Sequence, residues 1–354
     1  MPATAVDPVA LRALAGAAVA AGLDAGLDAC GIAPAAPFET TKKILEERKA
    51  AGLHGGMHFT YGRPERSTDP GRALAGARAL VVGARSYWQA DADDHPAGPT
   101  ARVARYAQAD HYAVLRDALD AVAVRLTRDG WRARVLVDDN ALVDREAARR
   151  AGLGWYGKSS NLLLPGLGSW FVLGSVVTDA PLESTAAPVA DGCGACTRCI
   201  TACPTDAIVG PGVVDARRCL AWLLQAEGTF PPEYRDALGD RIYGCDDCQE
   251  VCPPNRRRLA DDDVTHEVDV EPWVPVLAML AATDEELLAR FGRWYLPRRD
   301  ARYLRRNALV VLGNTGDAGD PAVVATLRRY VDGDDDLLRE HASWAATKLG
   351  LEEI

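Results

Sequence analysis

CGACTRCITACPTDAI, residues 193–208, contains the cysteine run C-x2-C-x2-C-x3-C followed by proline. Its thiols are those of Cys193, Cys196, Cys199 and Cys203. This spacing is typical of bacterial two-cluster ferredoxins, in which the fourth cysteine of a run binds the cluster held mainly by the other run. The stretch therefore predicts a ferredoxin-like fold around two [4Fe–4S] clusters.

A second run, CDDCQEVCPPN at 245–255, supplies only three cysteines, and Cys219 is the obvious source of a fourth. Crossing the fourth ligands uses all eight thiols. The predicted first cluster binds Cys193, Cys196, Cys199 and Cys252, and the predicted second cluster binds Cys203, Cys219, Cys245 and Cys248. Structural zinc and disulfides are the alternatives, and a reducing compartment disfavours the disulfides. Cys30 lies alone in a small-residue stretch and is expected to be a buried apolar side chain.

The 354-residue chain divides into three zones by composition. Residues 1–181 mix helix-like stretches with apolar strand-like runs such as SWFVLGSVVTD, so we predict an α/β domain there. Residues 182–262 hold the clustered cysteines and form the predicted ferredoxin-like domain. Residues 263–354 lack strand signals, and RRNALVVLGNTG at 305–316 is echoed by REHASWAATKLG at 339–350. This faint repeat predicts C-terminal α-helical HEAT-like units.

The formal net charge of −10 argues against a general nucleic-acid coat but leaves room for a local basic face. The N-terminal stretch is rich in alanine and glycine and is broken by acids, which predicts an ordinary helix and neither a signal peptide nor a membrane span. We therefore expect a cytoplasmic protein without a membrane partner.

The densest polar segment before the cysteines is VDDNALVDREAARRAGLGWYGK, residues 137–158. The preceding ARVLV predicts a strand, residues 138–140 a turn, and the following residues a helix that Gly152 can end. On spacing alone, Asp138 and its neighbours are more readily helix N-caps than catalytic groups.

With these motifs the chain resembles the epoxyqueuosine reductases, the cobalamin and iron–sulfur enzymes of the last step of queuosine synthesis in tRNA. The resemblance runs through residues 52–70, 101–116, 137–158, both cysteine runs, and LPRRDARYLRRNALVVLGNTG at 296–316. It implies reduction of epoxyqueuosine to queuosine at the tRNA wobble position, with base-off cobalamin as nucleophile. The two clusters would feed electrons to the cobalt one at a time.

The resemblance places the family's catalytic acid on Asp138 and not on Asp139. The implied cobalamin contacts are Arg66, Val103, Asp138, Arg145, the loop from Gly157 through Lys158 to Leu162, Leu173, and Gly244. A carboxyl group whose pKa is raised by burial could protonate the alkoxide formed when the epoxide opens. The chain departs from many relatives in reading Asp110-His111-Tyr112 and Lys158-Ser159.

A tRNA substrate requires cationic surface near the site, and arginines interleaved with Trp294, Tyr295 and Tyr303 occur late in the chain. They are Arg290, Arg293, Arg298, Arg299, Arg302, Arg305 and Arg306, and Arg256 to Arg258 follow the last cysteine. Such residues suit phosphate contacts and base stacking, although a solvated helix face over core aromatics has the same pattern. A tRNA and a low-potential electron donor are the implied partners.

Two other functions fit the motifs. One is a cytoplasmic reductive dehalogenase-like cobalamin enzyme, which the arginine-rich tail disfavours. The other is a ferredoxin-type electron carrier or RNA-binding scaffold with no catalysis of its own.

Overall fold

Helices and short strands alternate along the chain in a computed structural model that describes residues 8–89, 96–184, 187–258 and 268–351. The described residues do not include the expected domain boundary at 262/263, and the side chains of Arg257 and Arg258 are not described either. The strands are β1 (Ala29–Pro34), β2 (Ala79–Ser86), β3 (Thr100–Val103), β4 (Ala133–Val137), β5 (Trp155–Tyr156), β6 (Leu162–Leu163), β7 (Phe171–Thr178), β8 (Ile208–Gly210), β9 (Val213–Val214), β10 (Arg241–Tyr243) and β11 (Trp273–Pro275). The helices are α1 (Pro8–Asp24), α2 (Glu39–Ala50), α3 (Pro64–Ser67), α4 (Pro70–Ala73), α5 (His111–Arg128), α6 (Asp144–Arg150), α7 (Arg198–Thr201), α8 (Leu220–Leu223), α9 (Pro232–Leu238), α10 (Asp247–Glu250), α11 (Pro253–Arg258), α12 (Val276–Ala281), α13 (Asp284–Phe291), α14 (Arg302–Thr315), α15 (Pro321–Val331) and α16 (Asp336–Lys348).

The largest sheet has the strand order β1-β2-β7-β4, and every neighbouring pair is antiparallel. Its central strands β2 and β7 are buried along their whole length, which explains their nearly continuous apolar sequences ALVVGARS and FVLGSVVT. Helices α1 and α5 pack on one face and α6 on the other. The edge strand β4 ends at Val137, so the turn that follows lies at the rim of the sheet.

A second, three-stranded sheet joins the three zones of the sequence. Its order is β10-β3-β11, with β10 parallel and β11 antiparallel to β3. One strand therefore comes from each zone. The core beneath it likewise combines residues such as Val103, Leu223, Ile242 and Leu309, so the cysteine-rich and C-terminal segments are packed together.

The C-terminal segment is helical from α12 to α16, apart from the 3-10 turn Pro297–Arg299. The two echoed sequences correspond to α14 and α16, which pack against each other. Their glycines end the helices differently: Gly350 has a φ of +73°, whereas Gly316 lies in the extended region with a φ of −70°. The echo is therefore a pair of packed helices whose ends differ.

None of the helices in the described ranges combines the length and apolar character that crossing a bilayer requires. The N-terminal segment forms α1, the ordinary helix that the sequence predicts.

Candidate active site and cluster-binding region

The turn after β4 separates the roles of two adjacent aspartates. Asp139 Oδ1 accepts a hydrogen bond from the Ala141 backbone N–H at 2.8 Å, so Asp139 makes the capping contact of this turn. Asp138 adopts a left-handed conformation with φ +50°, which is uncommon for a residue other than glycine. Within the described residues its carboxylate forms no hydrogen bond and no ion pair. The helix N-cap predicted on spacing is wrong: α6 begins only at Asp144, and its N-cap position, Val143, carries no side-chain capping hydrogen bond. Asp139 closes the local turn, and the Asp138 carboxyl is left available.

The surroundings of Asp138 favour its protonated form. Its side chain is reached by solvent, yet neighbouring protein atoms displace enough water to raise the pKa of the carboxyl above its usual value. The negative charge of Asp139 raises this pKa further, and the cationic Arg116 opposes the shift. A carboxyl group with a raised pKa is a better proton donor near neutral pH than an ordinary aspartate.

Asp144 and Tyr112 also lie near Asp138, and this proximity was not predicted from the sequence. Burial raises the pKa of Asp144, in the first turn of α6, well above its usual value, and the charge of Asp138 adds to the shift. Burial also raises the pKa of Tyr112, with contributions from Asp138 and Asp144. The sequence carries only a weak signal for Asp144, because an acid in the first turn of a helix is ordinary.

The three residues of the unusual Asp110-His111-Tyr112 sequence have separate roles. Asp110 caps α5 by accepting a hydrogen bond from the Ala113 backbone N–H. His111 is buried, and this burial lowers its pKa to about 4, so it is neutral at physiological pH. Of the three, Tyr112 is the one whose pKa responds to the Asp138 charge.

The loop at 157–162 contacts both cysteine runs and also Arg145, which follows Asp144 on α6. Arg145, on α6, donates to the Ser160 carbonyl at 3.3 Å. The Lys158 ammonium donates to the carbonyl of Gly194, inside the first run, at 2.7 Å. Asn161 Nδ2 lies 3.9 Å from the sulfur of Cys248 in the second run. The loop therefore lies between the predicted acid and the thiols.

The eight clustered cysteines fall into two groups of mutually interacting thiols. Cys252 is influenced electrostatically by Cys193, Cys196 and Cys199, although it lies more than fifty residues later in the chain. Cys219 interacts with Cys203, and Cys248 with Cys245 and Cys219. The membership of these groups matches the two crossed sets expected from the sequence, and their assignment to separate clusters stays a prediction. A weaker interaction between Cys248 and Cys199 indicates that the sets adjoin.

The chemistry of the thiols fits two cubanes. All nine cysteines are free of disulfides. Across the described ranges, no three Cys, His, Asp or Glu side chains converge closely enough to hold a single metal ion, as a tetrahedral zinc site would require. A cubane does not require that convergence, because each cysteine binds a different iron. The ninth cysteine, Cys30, packs against the core of the largest sheet as predicted.

The residues implied as cobalamin contacts lie around this region in three settings. Val103 and Gly244 line a cavity of about 320 Å³ beside Cys245. Arg66 lines a separate cavity of about 190 Å³ together with Asn140, two residues after Asp138. The side chains of Leu162 and Leu173 are buried in the core beneath α6.

Side chains around Asp138 form a wall that combines exposure to solvent with dense surrounding protein. Tyr156 is 38% exposed, yet burial is the main cause of its raised pKa. Asp138, Asp144 and Arg145 are likewise reached by solvent, while protein groups close by perturb both carboxyls. We call the wall formed by Asp138, Asp144, Arg145 and Tyr156 the acid cleft. Gly244 lies so close to the segment around Ala104 that a Cβ added at Gly244 would be 2.5 Å from the Ala104 Cβ.

Several residues of the predicted arginine-rich face are buried or are held by contacts within the protein. Arg306 is fully buried and donates to the carbonyls of residues 223, 224, 226 and 228, so it is not available to RNA as the sequence suggested. Trp294 and Tyr303 are also buried. Arg305 is held by Asp284 and the Ala282 carbonyl, with only 14% of its side chain exposed. Arg290, Arg293, Arg298 and Arg299 remain exposed, as does Tyr295 at 54%. Of these, Arg290 pairs with Glu271 and Arg293 donates to the Ala107 carbonyl.

Comparison with known proteins shows which family the chain belongs to. A profile of the 4Fe-4S double cluster binding domain matches residues 192–255, which include all eight clustered cysteines. An epoxyqueuosine reductase from Xanthomonas campestris pv. campestris is 37% identical over 338 residues, which cover 93% of this chain and 94% of the relative. The chain belongs to the epoxyqueuosine reductase family. A relative from Bacillus anthracis is 32% identical, with 92% of this chain and 86% of the relative covered.

Solved structures of epoxyqueuosine reductases have the same fold. One, crystallised with an epoxyqueuosine-modified tRNA-Tyr stem loop, is 30% identical with a TM-score of 0.87, covering 96% of this chain and 91% of that chain. The enzyme from Streptococcus thermophilus is 26% identical with a TM-score of 0.83, covering 96% and 90%. This chain is accordingly an oxidoreductase of the queuosine pathway, and the alternative of a carrier or scaffold without catalysis is not retained.

Proposed function

We propose that this enzyme reduces epoxyqueuosine at the wobble position of tRNA to queuosine, with cobalamin bound at the acid cleft and two [4Fe–4S] clusters as its electron supply. The observation that carries the proposal is Asp138, an available carboxyl with a raised pKa beside a loop that contacts both cysteine runs. Support also comes from a solved Bacillus subtilis relative, described with its aspartate-bearing catalytic loop swung out of the active site.

The reaction removes the epoxide oxygen as water and leaves an alkene, which consumes two electrons and two protons. Cobalamin, when bound, supplies the nucleophile that opens the strained ring, and the clusters supply single electrons. Asp138 donates a proton to the oxygen of the opening epoxide and assists its later departure as water. Burial and the charge of Asp138 raise the pKa of the neighbouring Asp144 and Tyr112, so these two groups favour their neutral forms beside it.

Other residues of the chain would hold the cofactors. The first cluster is assigned to Cys193, Cys196, Cys199 and Cys252, and the second to Cys203, Cys219, Cys245 and Cys248. Cobalamin is assigned to Arg66, Val103, Asp138, Arg145, Gly157, Lys158, Leu162, Leu173 and Gly244. The buried side chains of Leu162 and Leu173 offer little surface, so contacts there would be made chiefly by backbone atoms.

We assign the three zones to separate tasks: residues 1–181 to cobalamin binding and catalysis, 182–262 to the clusters, and 263–354 to a HEAT-like tRNA-contacting unit. The family's substrate and the packing of α14 on α16 support the last assignment. Modification of a base within RNA also requires that the nucleotide be flipped out of its stack into the pocket.

The substitution Asp138→Asn tests the catalytic assignment. It preserves shape but removes the transferable proton, so single-turnover conversion of epoxyqueuosine in tRNA should fall by roughly 10²–10⁴-fold under excess low-potential reductant. Folding, iron content and cobalamin uptake should be retained.

Asp139→Asn is the matched control, because asparagine can still accept the hydrogen bond from Ala141. It should keep most of the activity. Near-normal conversion by Asp138→Asn would remove Asp138 from the mechanism and direct attention to Tyr112.

A further inference from the structure

The two thiol groups differ in their distance from the surface. The loop that carries the first run is open to solvent: Gly194, Ala195, Thr197 and Arg198 are exposed, and a Cβ added at Gly194 would meet nothing within 4 Å. The second group faces inward. Cys245 packs against the core shared with the C-terminal helices, and it follows Gly244 at the 320 Å³ cavity.

We infer the direction of electron flow from this difference. The second group contacts the loop beside the acid cleft through a thiol, that of Cys248, whereas the first run contacts this loop through the Gly194 backbone carbonyl. A protein donor can approach closely only where a cluster lies near the surface, which is at the first run. Electrons therefore enter at the first cluster and leave towards the substrate from the second.

The surface around the first run carries cations on a protein that is otherwise acidic. Arg198 lies between Cys196 and Cys199, and Arg256 lies on α11 just after Cys252. Both are exposed, and the Lys158 ammonium is bound to the Gly194 carbonyl of the same loop. We call Arg198 and Arg256 the entry face. The nearby acids are Asp191, which accepts from the Cys193 backbone N–H, and the exposed Asp206.

We propose that the entry face is the docking surface for an acidic one-electron carrier protein, an inference that rests on the proposed role of the clusters. With a net charge of −10, the enzyme as a whole repels such a carrier. A local cationic face then both attracts the carrier and orients it, because complementary charges act chiefly on the rate and geometry of encounter. The carrier would be of the ferredoxin or flavodoxin type, with its acidic surface around the redox group.

The experiment measures reduction of the cluster-loaded enzyme in stopped flow, following loss of cluster absorbance after mixing with a reduced, strongly acidic [2Fe–2S] ferredoxin. The double variant Arg198→Glu, Arg256→Glu should lower the second-order rate constant by roughly 10–100-fold at low ionic strength. The difference should shrink as salt screens the charges. Arg128→Glu, an exposed arginine at the end of α5, is the control and should change the rate little.

Two readouts separate this proposal from its alternatives. Reduced methyl viologen, a small cation, should reduce the double variant at least as fast as the parent and support normal turnover, which tests the proposed function independently. An unchanged rate with the ferredoxin, or equal slowing by Arg128→Glu, would overturn the docking surface. Weaker tRNA affinity with an unchanged ferredoxin rate would also overturn it and assign these arginines to RNA.

Discussion

At the scale of single residues, the adjacent Asp138 and Asp139 show what a sequence pattern leaves open. An Asp-Asp-Asn turn before a helix predicts a cap but does not say which carboxyl makes it. In the structure neither aspartate caps α6: Asp139 accepts a hydrogen bond within the local turn, and Asp138 adopts the left-handed conformation. Backbone geometry after an edge strand depends on tertiary packing, so the sequence alone favoured a cap at Asp138, and only family resemblance pointed to its function.

The pH dependence of turnover should report the Asp138 carboxyl. Because the acid form donates the proton and its pKa is raised, the single-turnover rate should fall as pH rises through that pKa. Asp139→Asn removes a negative charge that raises the pKa, so the falling limb should move to lower pH. Arg116→Gln removes a cation that lowers the pKa, so the limb should move to higher pH.

These opposite shifts are measured from single-turnover rates across pH with cobalamin saturating. Tyr112, Asp144 and Tyr243 also interact with Asp138, so the reference is Arg128→Gln, which removes an exposed charge at the opposite end of α5 from Tyr112. Identical profiles for Asp139→Asn and Arg116→Gln would show that another group limits the rate.

Arg306 is a second residue whose role the sequence misassigned. Its guanidinium is buried, which lowers its pKa to about 10, and it donates to four backbone carbonyls. Arg306→Met should destabilise the protein by about 3 kcal/mol or more, because several buried carbonyls would be left without donors. Arg298→Met, at an exposed residue paired with Glu227, should change stability little.

Urea unfolding midpoints of the two variants, followed by circular dichroism on metal-loaded protein, check this difference. Equal midpoints for Arg306→Met and the parent would contradict the structural role. Affinity for tRNA should not depend on Arg306 beyond its effect on folding.

At the scale of elements, the turn before α14 is the clearest remaining candidate for RNA contact. Arg298 and Arg299 both have positive φ angles, 53° and 56°, and two successive non-glycine residues in this region indicate local strain. Strained backbone is retained mainly where function requires it. The neighbouring Tyr295 offers an exposed ring for stacking on an unpaired base.

Replacement of both turn arginines by alanine should weaken tRNA binding. The slope of log affinity against log salt should become shallower by about 0.7 for each phosphate of single-stranded RNA that the variant no longer neutralises. Filter binding over a series of salt concentrations measures this slope, and Arg128→Ala is the control. An unchanged slope would place the RNA-binding surface outside this turn. Iron and cobalamin contents should be the same in all three proteins.

The elements themselves were predictable to different degrees. The strands β2, β4 and β7 follow from continuous apolar runs, and α14 and α16 from apolar residues at helical spacing. The short strands β3, β10 and β11 were not predictable, because each has only three or four residues and is fixed by pairing across distant parts of the chain. Such pairing depends on tertiary contacts more than on local propensity.

At the scale of the whole molecule, those short strands decide how the zones are connected. The sheet β10-β3-β11 takes one strand from each zone and lies over a common core. The cysteine-rich segment therefore shares a core with β3 and the C-terminal helices. It also hydrogen-bonds to Ser169, just before β7 of the largest sheet, through Gln249 and Asn255. The second and third zones read from composition do not have independent cores, because residues of 182–258 and 268–351 pack into one core.

The crossed assignment of the cysteines is a property of the whole fold and can be tested by pairs of substitutions. In the crossed arrangement, Cys193 and Cys252 bind the same cluster, whereas Cys193 and Cys203 bind different ones. Cys193→Ser with Cys252→Ser should therefore leave one intact cluster. Cys193→Ser with Cys203→Ser should damage both. An uncrossed arrangement, with all four cysteines of the first run on one cluster, predicts the reverse.

Iron analysis and electron paramagnetic resonance after anaerobic reconstitution distinguish the two arrangements. The parent should contain about eight irons per chain, and the Cys193/Cys252 pair about four with the signal of a single isolated cubane. Cys30→Ser is the control, because Cys30 packs in the core of the largest sheet and should not alter the iron content. The crossed result is expected because Cys252 interacts with the first three thiols of the first run, while Cys203 interacts with Cys219. Two intact clusters in either double variant would show that the clusters use a ligand outside the eight assigned cysteines.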